Sequence, residues 1–186
     1  NLNSPYGWSK TDWQTWGYRG LYDFKWEYAT FSVGFDEMVE RGKTRTINEK
    51  TGKTTWDPGR KYQFLTSPYL AARYDYELDE TWTLVPSAGT RYYFLDDLHG
   101  EWSPGTALTI RSEDWEFFLS YARAVHYPGL VFRANTDAWR DIEAETMDTV
   151  TLGMKLKLHE RVKVHVSAFR NEIENRILKA ADIFNE

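Results

Sequence analysis

No cysteine occurs in the 186 residues, which rules out disulfide staples and thiolate metal sites and leaves the redox compartment unreadable. Long apolar runs are missing too. Hydrophobic residues make up 41% of the chain and the mean hydropathy is -0.64, so nothing approaches the roughly 20 apolar residues of a membrane helix. A bilayer-crossing strand stays open, because it alternates over about 10 residues and has an unremarkable average. Positive charge is in deficit, with 23 Lys and Arg against 28 Asp and Glu. Without a basic block, nucleic acid is not an expected partner. The four histidines, His99, His126, His159 and His165, lack metal-ligand spacing, and no phosphate loop or zinc signature occurs. Ser103, Ser120 and His126 have no fixed third partner for a hydrolase. No catalytic residue, metal or cofactor is expected.

Aromatic residues are abundant at 17%, with 9 Trp and 12 Tyr. They fall in segments of strict alternation. In DTVTLGMKLKLHERVKVHVSAF, residues 148–169, Val150, Leu152, Met154, Leu156 and Leu158 alternate with Thr, Gly and Lys. After His159-Glu160-Arg161 the pattern resumes at Val162, Val164, Val166 and Ala168. A period of two describes strands and a tight turn, not a helix. The same reading predicts strands over 15–26, 29–37, 69–78, 82–94, 103–111 and 115–125, eight in all. Polar stretches near 42–68 and 126–147 read as long loops. Pro86 predicts a bulge or a strand end, since it forfeits a ladder bond.

Short turns near 26–28, 79–81, 112–114 and 159–161 alternate with longer connections, the layout of an up-and-down membrane barrel. Trp26, Trp82 and Trp115 stand beside three of the short turns and predict an interfacial girdle. In such a barrel the apolar face meets lipid and the polar face lines the bore. Arg19, Asp23, Arg73, Asp75, Arg91, Arg111, Lys155 and Lys157 are then the expected lumen-facing residues. A lipocalin-like soluble barrel, or a free-standing eight-stranded membrane barrel, would alternate in the same way.

Four stretches resemble the barrel of TonB-dependent outer-membrane receptors, in that family's order. WTLVPSAGTRYYFLDD (82–97) is similar to its strand with Pro, Gly, Arg and an aromatic pair. WSPGTALTIRSEDWEFFLSYARAVHYPGL (102–130) looks like its SP…SYAR…P-x-L hairpin. IEAETMDTVTLGMKLKL (142–158) and VKVHVSAFRNEIENRIL (162–178) resemble the two strands that follow. Ala144, Thr151 and His126-Tyr127 depart from the usual pattern.

The resemblance implies a segment of a 22-stranded outer-membrane barrel in a Gram-negative bacterium. Such a receptor imports iron–siderophore or a similarly scarce nutrient, is embedded in outer-membrane lipid and is driven by a TonB-type energy-coupling protein. Residues 1–186 are expected to be one barrel segment without the plug domain, part of something longer. Trp56, Tyr127, Phe132, Arg133, Trp139 and Arg140 pair aromatic and cationic groups in the long loops, a combination suited to an anionic metal chelate. The same residues could equally pack the loops together.

Overall fold

The computed structural model describes residues 8–48, 50–56, 60–96, 98–129 and 143–176. They form one antiparallel sheet. The strands are β1 (Trp8–Trp26), β2 (Ala29–Ile47), β3 (Thr54–Trp56), β4 (Arg60–Tyr74), β5 (Tyr76–Glu77), β6 (Thr83–Leu95), β7 (Glu101–Arg111), β8 (Trp115–His126), β9 (Glu145–His159) and β10 (Val162–Glu174). Eight of them run as a meander in the order β1-β2-β4-β6-β7-β8-β9-β10. The short β3 and β5 pair with β2 and β6. β1 and β10 do not pair with each other, so the sheet is open and not a closed eight-stranded barrel.

The eight predicted strands are all present, but several are longer than the alternation suggested. Much of the expected 42–68 loop is strand: β2 runs on to Ile47 paired with β1, and β4 begins at Arg60. A strand wetted on both faces needs no apolar period, because its neighbour's ladder holds it. The turn within that stretch is local. Asn48 Oδ1 accepts from the Lys50 and Thr51 N–H groups, both at 3.0 Å, and Gly52 takes φ +65 before β3.

Pro86 lies inside β6, opposite Leu108 of β7 without a register shift. The break it causes falls on the other side, where β4 stops at Tyr74 and β5 starts at Tyr76. Asp75, between them, gives its N–H to the Tyr28 carbonyl at 2.8 Å instead. The lost ladder bond of the proline thus coincides with the gap between β4 and β5.

Four strand glycines lie directly opposite aromatic rings: Gly34 to Tyr69, Gly20 to Phe35, Gly42 to Trp13 and Gly153 to Phe118. A Cβ on Gly42 would sit 2.8 Å from the Trp13 ring, and one on Gly34 2.5 Å from Tyr69. The missing side chains let the rings lie flat along the sheet. Gly34→Val is therefore expected to lift Tyr69 from the wall and lower stability by about 1–3 kcal/mol, the usual cost of overpacking. A urea titration of the full-length protein in detergent reads that loss.

Candidate functional site

The ladder registers assign each side chain to a face. On one face lie Tyr22, Phe24, Phe31, Val33, Leu70, Leu84, Leu108, Ile110, Phe117, Leu119, Val150, Leu152, Met154, Val164 and Val166. Much of this face is bare, with Leu152 61% and Leu70 60% exposed. A single sheet that leaves such a continuous apolar surface uncovered does not have a water-soluble protein's core.

Aromatic side chains bound this band at both ends. At the short-turn end, Trp26 and Trp115 are on the apolar face by register, and Trp82 closes the turn before β6 by accepting the Leu78 N–H at 2.9 Å. At the long-loop end a second row, absent from the sequence reading, holds Trp16, Tyr18, Tyr92, Phe94 and Trp102. The Tyr92 ring lies 4.4 Å from Phe94 and 4.7 Å from Trp102. Trp16 precedes Trp26, and Tyr92 follows Trp82, by ten positions each. At about 3.4 Å per residue and a tilt of 35–45°, that separation is roughly 25 Å, the height of a bilayer's apolar band. The spacing was readable, but only with the strand boundaries in hand.

The opposite face is polar. All eight residues expected there, Arg19, Asp23, Arg73, Asp75, Arg91, Arg111, Lys155 and Lys157, do share one face. Two aspartates organise it. Asp36 accepts from Arg19 Nε at 2.5 Å and Arg91 NH1 at 2.5 Å, bridging β1, β2 and β6. Arg91 also lies over the Tyr69 ring, 4.6 Å from its centroid. Asp75 accepts from Arg73 at 2.9 Å and Arg111 at 3.2 Å, tying β4 to β7. Lys155 reaches Glu116 at 2.7 Å, and the Ser32 hydroxyl donates to Asp23 at 2.6 Å. The Asp36 hub was missed because its partners lie 17 and 55 residues away, and pairing of that kind leaves no local sequence signal. Between these nodes the wall is small-sided: Ser32, Ala71, Gly89, Gly105 and Ala122 form one row across five strands.

At the long-loop end Leu95, Tyr127 and Ala144 are buried together, packed by Leu65, Tyr93, Leu98 and Val125. Tyr127, expected as a ligand contact, is buried and donates its hydroxyl to the His99 carbonyl at 3.0 Å. It fastens the β6–β7 connection to the end of β8, the packing role weighed beside the ligand one. Trp56 ends β3, opposite Thr46. Phe132, Arg133, Trp139 and Arg140 lie outside the described residues. Among the described residues no group of His, Cys, Asp and Glu could hold a metal.

An open antiparallel meander, with an apolar band between aromatic rows and charges on its other face, is a transmembrane β-barrel wall. The chain belongs to the TonB dependent receptor-like β-barrel family, whose model matches residues 1–185. Similar solved structures include "Copper transporter OprC", at 11% identity and TM-score 0.63 over 89% of this chain and 31% of that one. The siderophore receptor PirA from Acinetobacter baumannii is similar at 14% identity and TM-score 0.64, over 90% and 28%. FpvAI, in its complex with pyocin S2, is similar at 10% identity and TM-score 0.54, over 95% and 27%. The chain thus spans about three tenths of those proteins. No curated protein matches it in sequence.

Burial pushes the Tyr127 phenol up to about 12. Because the folded value lies above the unfolded one, its contribution to stability is complete below about pH 10. It is lost as pH climbs toward 12. Absorbance titration at 295 nm is expected to show a late-titrating tyrosine fraction that Tyr127→Phe reduces by one residue.

Proposed function

We propose that the chain is part of the barrel of a nutrient receptor in the outer membrane of a Gram-negative bacterium. The full-length protein binds a metal chelate, with iron–siderophore the favoured class, and passes it inward using a TonB-type energy-coupling protein. Binding and passage, without covalent chemistry, are its work. The observation that carries this reading is the two-faced sheet: an apolar band about a bilayer's height between aromatic rows, backed by an ionised wall. Arg19, Asp23, Arg73, Asp75, Arg91, Arg111, Lys155 and Lys157 then face the bore, while Trp26, Trp82 and Trp115 meet the headgroups.

Family membership supports outer-membrane placement, and PirA, a siderophore receptor, supports the ligand class. OprC is a copper transporter, which makes copper the rival cargo. Trp56, Phe132, Arg133, Trp139 and Arg140 are the proposed loop contacts, their rings and guanidinium groups suited to an anionic chelate.

The full-length protein is expected in the detergent-extractable outer-membrane fraction. In reconstituted bilayers, lipids brominated near the headgroup should quench its tryptophans more than lipids brominated at the chain ends. Recovery as a detergent-free soluble protein would contradict the placement. Cells lacking the gene should lose uptake of radiolabelled ferric siderophore; loss of copper uptake alone would replace the cargo but not the site.

A further inference from the structure

Among the described residues the polar face is not evenly neutralised. At the short-turn end of β7–β10, the register sets Arg111 opposite Glu116, Glu116 opposite Lys155, and Lys155 opposite His165. One step nearer the turn, Lys157 stands directly opposite Lys163, where the ladder shifts between Val162 and Lys163. Glu116 on the neighbouring β8 is committed, accepting from Lys155 at 2.7 Å.

Lys157 and Lys163 make no ion pair among the described residues. The β7–β8 turn carries Glu113 and Asp114, and the β9–β10 turn carries Glu160. None of the three is in an ion pair with either lysine. The β7–β8 turn meets the Lys157 backbone, whose N–H donates to the Asp114 carbonyl at 2.8 Å.

Like charges directly across a ladder are destabilising, and their Cβ atoms stand only about 4.5–5.5 Å apart. Both ammonium groups can therefore converge on one acceptor placed between them, which turns their repulsion into two charge-assisted hydrogen bonds. An acceptor that satisfies both needs more than one negative oxygen.

We propose that Lys157 and Lys163 hold a multivalent oxyanion, a phosphate or polycarboxylate group, on the bore side of the β9–β10 hairpin. The site deepens the proposed function and rests on the polar face being the watery one. It would give an anionic solute a holding point at the short-turn end, far from the long loops.

The test is calorimetric titration of inorganic pyrophosphate into the full-length protein, in non-ionic detergent at low salt. Saturable binding is expected, weakening by about tenfold for each lysine removed in Lys157→Gln and Lys163→Gln, the loss of one charged hydrogen bond apiece. Lys157→Arg should keep it. Without pyrophosphate, Lys157→Gln should raise the melting temperature, since it relieves the repulsion.

No saturable binding, or binding that both Gln variants leave unchanged, would overturn the site. Repeating the titration in phosphatidylglycerol and phosphatidylcholine nanodiscs separates the sources. Unchanged affinity in both supports a bore solute; displacement by phosphatidylglycerol alone means a headgroup fills the site and overturns the bore assignment. Failure here with headgroup-proximal quenching of the tryptophans intact would refute this site and leave the barrel placement standing.

Discussion

In hydrocarbon no water is present to satisfy a backbone N–H or carbonyl, so every strand must give its ladder to a neighbour. That constraint organises the whole sheet. It aligns β1 with β2 through the apolar band, and the same pairing continues beyond it to nineteen residue pairs in all, from Trp8 opposite Ile47 to Trp26 opposite Ala29. Pro86 interrupts the ladder at one point only among the described residues of β6, where β4 gives way to β5 at Asp75. Once the ladder is fixed, the pleat sends alternate side chains to opposite faces, and the sorting of alkyl from ionised groups follows.

The polar wall is then an electrostatic problem solved across strands. Asp36 and Asp75 each accept from two arginines on different strands, so a single carboxylate neutralises charge and pins register together. Where large rings occur on this face they lie flat, as Tyr69 does over Gly34 and Phe118 over Gly153. The glycine–aromatic pairs and the row of small residues keep the wall low without breaking the ladder. At the short turns Lys157 and Lys163 stand opposite each other without an ion pair among the described residues.

Period-two alternation made β6 to β10 legible in outline, because half of each strand is apolar and Trp or Gly marks its turns. The upper parts of β1, β2 and β4 were not legible: residues such as Lys43, Arg45 and Lys61 stand in strands whose two faces are both polar, and there composition cannot tell strand from loop. The eight charged residues of the polar face could be assigned from parity alone. The Asp36 hub could not, since it depends on which strand is whose neighbour. Tyr127 shows the same limit at the loops. An aromatic residue in a polar segment reads as a ligand contact, but the His99 carbonyl and a small core cluster occupy it.

The orientation of the two faces is the claim on which the rest stands, and adjacent residues in mid-β9 test it. Leu152 belongs to the apolar face and Thr151 to the polar one. Folding free energies of full-length Leu152→Arg and Thr151→Arg, measured in lipid bilayers by urea titration, should differ sharply. Arginine at 152 should cost about 2–4 kcal/mol, the price of a cation near the bilayer midplane, and at 151 less than about 1 kcal/mol. Equal costs, or the reverse order, would contradict the assignment of the apolar face to lipid.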